Sequence, residues 1–240
     1  MKIALIGYGK MGKELEHVSL ERGHQIVLKV DEQSFSDEDI SILKQADAAL
    51  EFSVPASAYS NIVTCFDAGV PVVSGTTGWL ERMEEIKSEC RKKNGAFFYA
   101  PNFSIGVNIF FELNRKLGAL MNSQPAYQPS VLEIHHVHKK DKPSGTAIKL
   151  ADDILRSNTK LKSWKLEEQR TGANDELVII AERKDEVPGF HEVKYISDVD
   201  EISIVHNANS RKGFALGAVL AAEWLQGKKG TFGLSDMLNL

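Results

Sequence analysis

Cysteine is scarce in this chain, with only Cys65 and Cys90 among 240 residues. Each falls in a segment of amphipathic helical spacing, so both read as free thiols rather than a disulfide framework or a catalytic group, which favours a reducing compartment. Charge of one sign is not in excess either. Lys and Arg number 29 against 33 Asp and Glu, a net charge of -4, so no global field draws in nucleic acid and an anionic ligand must be met by a local basic pocket. Long apolar runs are missing: nothing approaches the ~20 residues that span a bilayer. The N-terminus opens directly into Lys2-Ile3-Ala4-Leu5-Ile6-Gly7, without a charged leader or cleavage site. The expectation is a cytoplasmic protein with neither nucleic-acid nor membrane partners. What is present, 42% hydrophobic and 26% charged residues, suits a compact protein of one or two domains.

The first hundred residues alternate short apolar runs with helical patterns, which argues for βαβ units and a mainly parallel sheet. Strands are expected at Lys2 to Ile6, Gln25 to Val30, Ala48 to Phe52, Val70 to Val73 and Ala96 to Tyr99. Helices are expected at Met11 to Glu21, Pro55 to Ala68 and Trp79 to Lys93. After residue 104 the pattern changes. A helix near Val107 to Met121 precedes apolar runs at Ser130 to His136, Leu177 to Arg183, Glu192 to Ser197 and Glu201 to His206, interrupted by one helix at about Thr146 to Arg156. This implies an α/β fold: a Rossmann-like, doubly wound parallel sheet plus a second α+β domain with an open mixed, largely antiparallel sheet. A last helix, Phe214 to Leu225, would pack back on the first domain. The expected division is 1–104 with 211–240, and 105–210.

Gly7-Tyr8-Gly9-Lys10-Met11-Gly12 is a GxGxxG that follows an expected strand and opens an expected helix. The first glycine permits the tight turn, the second lets backbone N–H groups approach a pyrophosphate, and the third permits close helix-on-strand packing. Asp31 stands at the end of the second strand, where an acidic residue holds a ribose hydroxyl. Together these point to a dinucleotide, although the residues alone leave FAD open. Asp31 and Glu32 would repel a 2′-phosphate, while Lys10 and Lys13 either compensate or are solvated helix lysines. A second turn, Gly75-Thr76-Thr77-Gly78, falls at the carboxyl edge of the same sheet.

The most informative stretch runs from Glu133 to Ala147 and holds three of the seven histidines. Ser144 is a plausible N-cap, so Ser144-Gly145-Thr146 lies at a helix N-terminus whose free N–H groups favour a carboxylate. Histidines exchange protons near neutral pH. Lys139 supplies fixed positive charge, or a proton if Lys140 and desolvation crowd it. The His136-Val137-His138 pair could instead bind a metal, the lysines could form a solvated loop, and the histidines could simply pack. A metal site needs further ligands that spacing does not supply, so none is expected.

The Glu133 to Ala147 run resembles the E-x-H-H-x-x-K-x-D-x-P-S-G-T-A signature of the dihydrodipicolinate reductase family, with every fixed position present. The likeness extends to Gly75 to Gly78, Ala100 to Asn108 and Ser210 to Ala218, and covers essentially the whole chain. The resemblance implies that His135 handles a proton, Lys139 donates one, and His136, Gly145, Thr146 and Arg211 contact substrate carboxylates. It implies that Gly7, Tyr8, Gly9, Lys10, Met11, Gly12 and Asp31 hold the adenosine half of NADH or NADPH. Gly75, Thr76, Thr77, Ala100, Pro101, Asn102 and Phe103 would then surround the nicotinamide. It further implies hinges near the two domain crossings, closure on substrate, a homotetramer, and reduction of 4-hydroxy-tetrahydrodipicolinate, through the cyclic imine left by loss of water, in lysine and diaminopimelate synthesis. Three positions depart from the family pattern: Glu51 where Asp is common, a short segment between Asp31 and Ala48, and Pro188-Gly189-Phe190-His191. A glucose-fructose oxidoreductase type would show Glu-Lys-Pro where Ser74-Gly75-Thr76-Thr77 stands. A catalytically dead sensor would have lost His135 or Lys139.

Overall fold

The computed structural model describes residues 1–31, 35–171, 173–210 and 212–240. The chain divides into two compact units, Met1–Ile105 with Lys212–Leu240, and Gly106–Arg211.

In the first unit all pairings are parallel, in the strand order β11(Gly230–Phe232), β5(Ala96–Tyr99), β4(Val72–Ser74), β3(Ala48–Glu51), β1(Lys2–Ile6), β2(Gln25–Val30). Successive residues of β1 serve opposite faces. Ile3 and Leu5 enter one core with Leu15, Phe98 and Ala218, while Ala4 and Ile6 enter another with Leu43, Ile62 and Phe97. Burial on both faces explains why these strands read as unbroken apolar runs. Helices α1(Lys10–Glu21), α3(Pro55–Asp67) and α4(Met83–Lys92) lie where spacing placed them, except that Leu80–Arg82 forms a separate 3₁₀ turn before α4. The short helix α2(Asp37–Leu43) was not foreseen. It fills the segment noted as short, and no strand pairs beyond β2 among the described residues. The order therefore reverses between β1 and β3, which is where open α/β sheets bind ligands. Helix α7(Lys212–Leu225) turns Ala215, Gly217, Ala218, Ala221 and Ala222 inward, and small side chains let it lie close under the sheet.

The second unit holds five strands in the order β10(Glu201–Asn207), β9(Phe190–Ile196), β6(Gln128–His135), β8(Glu176–Arg183), β7(Ser163–Leu166). The sheet is mixed, as the sequence implies, with β10–β9 and β9–β6 antiparallel, and it carries more parallel pairing than expected, in β6–β8 and β8–β7. The reason is that α6(Gly145–Ser157) sits in the connection from β6 to β8, and a strand reached through a crossover helix pairs parallel. Helices α5(Ile105–Met121) and α6 share a core with Val131, Leu177, Ile179, Val193 and Tyr195. Buried Asn114 of α5 donates to the Leu150 carbonyl of α6 at 3.0 Å. The chain ends in α8(Leu234–Leu238), and no described helix is long and apolar enough to cross a membrane.

Candidate active site

The glycine turn after β1 is built by steric necessity. Gly7 has φ +90°, and a Cβ there would stand 2.2 Å from the Phe52 carbonyl oxygen; one at Gly12 would stand 2.3 Å from the Gly7 oxygen. Gly9 differs, because nothing lies within 4 Å of its hypothetical Cβ. The protein's own packing therefore does not require a glycine there, but a ligand brought against the backbone at the N-terminus of α1 would. That open approach is the structural feature that fits a dinucleotide pyrophosphate. Asp31 Oδ1 accepts the Tyr8 N–H at 3.1 Å, which ties the acidic end of β2 to the turn. Lys29 pairs with Glu16 at 2.6 Å, sits over the Tyr8 ring, and Tyr8 donates its hydroxyl to Glu16. Lys10 and Lys13 are exposed.

A cavity of about 360 Å³ in the same unit gathers Met11, Gly75, Thr76, Thr77, Pro101, Asn102 and Phe103. All of these are cofactor candidates from the sequence. Ala100 is buried beside it, while Phe52, Ser53, Pro55 and Phe214, which are not among those candidates, complete the lining. Behind the lining lies Glu51, fully buried, accepting from Ser74 Oγ at 2.6 Å, Thr76 Oγ1 at 2.9 Å, the Ser53 N–H at 3.2 Å and the Ser53 hydroxyl. Its longer side chain reaches hydroxyls on both sides of the β3–β4 edge, giving the departure from Asp a local purpose.

In the second unit, Ser144 caps α6 by accepting the Ala147 N–H at 3.2 Å, as the sequence implied, so Gly145 and Thr146 form the helix's first turn. His135 ends β6 and is 8% exposed. Glu133, two residues earlier on the same face, is completely buried and accepts the Ser144 N–H at 3.0 and 3.1 Å. Arg183 at the end of β8 donates to Glu133 Oε1 at 3.2 Å. Glu133 Oε2 faces two imidazoles, His135 Nδ1 at 3.3 Å and His191 Nε2 at 3.9 Å, and those rings meet edge to face at 5.0 Å. Burial alone would raise the Glu133 carboxyl; its interactions with His135 and Ser144 outweigh that and bring it down to about 2. Burial and the His135, His206 and Lys139 charges pull His191 down to about 3 against the attraction of Glu133, so His191 is neutral. Lys139, read as a fixed positive charge or, if crowded by Lys140, a proton donor, pairs with Asp141 at 2.7 Å, and that hydrogen bond holds the Asp141 carboxyl below its usual range. His136 is half-buried, with an unpartnered Nδ1, and Arg211 lies outside the described residues.

Arg183 and His191 were missed as site members because they arrive from other strands. Register brings them in: Glu133 is opposite His191, and His135 is opposite Arg183. The available signal was His191-x-Val193-x-Tyr195, which puts a histidine on an apolar strand face. The ligand atoms of Glu133, His135 and His191 all lie within 4.8 Å, a grouping that sequence spacing had not shown. The guanidinium and the Ser144 N–H already satisfy the carboxylate, which makes this a proton-handling cluster more readily than a cation site.

Residues 1–103 and 106–238 match the models described as dihydrodipicolinate reductase, N-terminus and C-terminus. The chain belongs to the dihydrodipicolinate reductase family. Within the family, it is 50% identical over 239 residues to the 4-hydroxy-tetrahydrodipicolinate reductase of Christiangramia forsetii, covering 100% of this chain and 98% of that protein. It is 32% identical to that of Neisseria meningitidis, covering 94% and 84%. The dipicolinate-bound dihydrodipicolinate reductase from Paenisporosarcina sp. TG-14 superposes with a TM-score of 0.79 at 22% identity, over 99% of each chain, which establishes the shared fold. Membership of this family makes the chain a reductase with a nicotinamide cofactor.

Proposed function

We propose that the protein reduces 4-hydroxy-tetrahydrodipicolinate, through the cyclic imine formed by loss of water, to tetrahydrodipicolinate in lysine and diaminopimelate synthesis. The observation that carries this reading is the Ser144-capped N-terminus of α6 beside a buried imidazole at the end of β6. The first is suited to a carboxylate and the second to a proton. Family membership supports the same assignment.

In this reading the unit containing residues 1–105 and 212–240 binds the cofactor and the unit spanning 106–211 binds substrate. The glycine turn and Asp31 hold the adenosine half of the cofactor, while the Gly75–Thr77 and Ala100–Phe103 segments hold the nicotinamide, which supplies the hydride when bound. Asp31 brings negative charge to the end of β2, and the nearby Lys29 is already neutralised by Glu16. This arrangement favours NADH over NADPH, since a 2′-phosphate would be repelled. Gly145 and Thr146 offer backbone N–H groups to one carboxylate, and His136 and Arg211 serve the carboxylates as well. Lys139 lends positive charge as the ring gains electrons, and His135 gives a proton to ring carbon.

The two buried free thiols suit a reducing, cytoplasmic setting. The outer face of the mixed sheet carries half-buried Leu132, Ile134, Val178 and Ile180, and Val205 is 52% exposed on outermost β10. That apolar face supports assembly into a homotetramer, which light scattering after gel filtration would check.

The activity is tested by following nicotinamide absorbance while pyruvate and aspartate semialdehyde are condensed enzymatically in situ. Oxidation that depends on the condensation, faster with NADH than NADPH, is expected. His135→Ala should lose about 100-fold or more in turnover with cofactor affinity kept. Undiminished turnover in that variant sinks the proton assignment, and no oxidation by folded, cofactor-binding wild type sinks the function.

A further inference from the structure

Nothing in the reading so far gives Glu133 a role, although it is the most enclosed charge of the substrate unit. Its two oxygens do different things. Oε1 takes the Arg183 guanidinium at 3.2 Å, whereas Oε2 lies 3.3 Å from His135 Nδ1, within ion-pair distance although that ring nitrogen makes no hydrogen bond of regular geometry. The opposite edge of the His135 ring, Nε2, faces Gly189, where even a Cβ would approach to 3.2 Å. A buried imidazole with a carboxylate near one nitrogen and a side-chain-free residue at the other is held in a defined orientation.

We propose that Glu133 is the positioning residue for His135: its carboxylate fixes a proton on Nδ1, so that Nε2 is the atom that exchanges protons with substrate. This rests on His135 being the proton donor. In the step, the Nε2–H bond breaks as a C–H bond forms on the ring carbon. The imidazole is left neutral with its Nδ1 proton against Glu133, the carboxylate is unchanged, and water restores the proton on Nε2. The cofactor alone supplies the reducing electrons. Every other group facing the ring bears on this balance. Arg183 at the end of β8 and Lys139 in the loop after β6 are cationic, Asp141 pairs with Lys139, and burial disfavours the charged forms of His191 on β9 and of half-buried His206 on β10. Glu133 is thus the negative charge closest to His135 among the described residues. The same carboxylate holds the Ser144 N–H, so a single group sets both the imidazole and the start of α6.

The test compares Glu133→Gln, Glu133→Asp and His135→Ala in the full-length enzyme, with NADH fluorescence confirming cofactor binding. Glu133→Gln should lower kcat tenfold or more and leave the KM for NADH within twofold. Glu133→Asp should recover part of the rate. In wild type, ¹⁵N spectra of the histidine side chains should show neutral His135 with its proton on Nδ1. An Nε2–H tautomer, or unchanged kcat in Glu133→Gln, overturns the proposal. If Glu133→Gln does not fold, the wild-type tautomer decides alone. Full turnover in His135→Ala would instead remove the parent reading. An inactive His135→Ala beside an unaffected Glu133→Gln removes only this one.

Discussion

Acidification should destabilise the second unit through His191 before Glu133 is protonated. The buried ring titrates at about 3 in the native protein against 6.5 when unfolded. A depressed native value means that the unfolded chain binds the proton first. The stabilisation is complete above pH 6.5 and is lost as pH falls towards 3, at about 1.4 kcal/mol per pH unit. Between pH 7.5 and 5.0 the loss is about 2 kcal/mol. Glu133 contributes almost nothing in that window, because its stabilisation is lost only between 4.5 and about 2. His206, also lowered by burial, acts in the same direction. The discriminating comparison is therefore wild type against His191→Asn, which retains His206. Urea unfolding of both at pH 7.5, 6.5 and 5.0 should show the wild-type midpoint falling further, by about 1 M between the extremes. Parallel midpoints in the two proteins would refute a buried neutral His191, whatever their absolute stabilities.

Three further substitutions probe individual contacts. Gly189→Ala places a methyl 3.2 Å from His135 Nε2, and turnover should drop by about tenfold with little change in the unfolding midpoint, as read by steady-state rates beside thermal melts. Gly217→Ala would put its Cβ 1.8 Å from the Phe103 carbonyl oxygen, and displacing α7 should cost about 3 kcal/mol or more in urea unfolding. Glu51→Ala strands the donors on Ser53, Ser74 and Thr76. A lower melting temperature and a several-fold weaker NADH affinity by fluorescence titration are expected.

The sheet of the first unit was legible because both faces are buried and its strands are apolar throughout. Helix α2 escaped notice because it is seven residues long, opens with Asp37-Glu38-Asp39 and buries only Leu43, so periodicity had nothing to register. Strand β11 spans three residues, too few for alternation to register, and β7 spans four, the shortest run in which it can. In the substrate unit, the run from Glu133 to Ala147 disclosed the contiguous part of the site, including its Ser144 cap. Arg183 and His191 come from β8 and β9 through pairing register, a relation between distant segments that no local pattern contains. The same limit hid Glu51: its identity could be read, but not that Ser53, Ser74 and Thr76 would converge on it.

Those converging hydroxyls have a thermodynamic consequence for the cavity they back. Ser53 follows β3, while Ser74 and Thr76 lie at and just beyond the end of β4; one buried carboxylate joins them. The ordering of that wall is thus settled during folding rather than at the moment of binding. These residues then contribute little to the conformational entropy lost on association, and more of that loss falls on the incoming molecule.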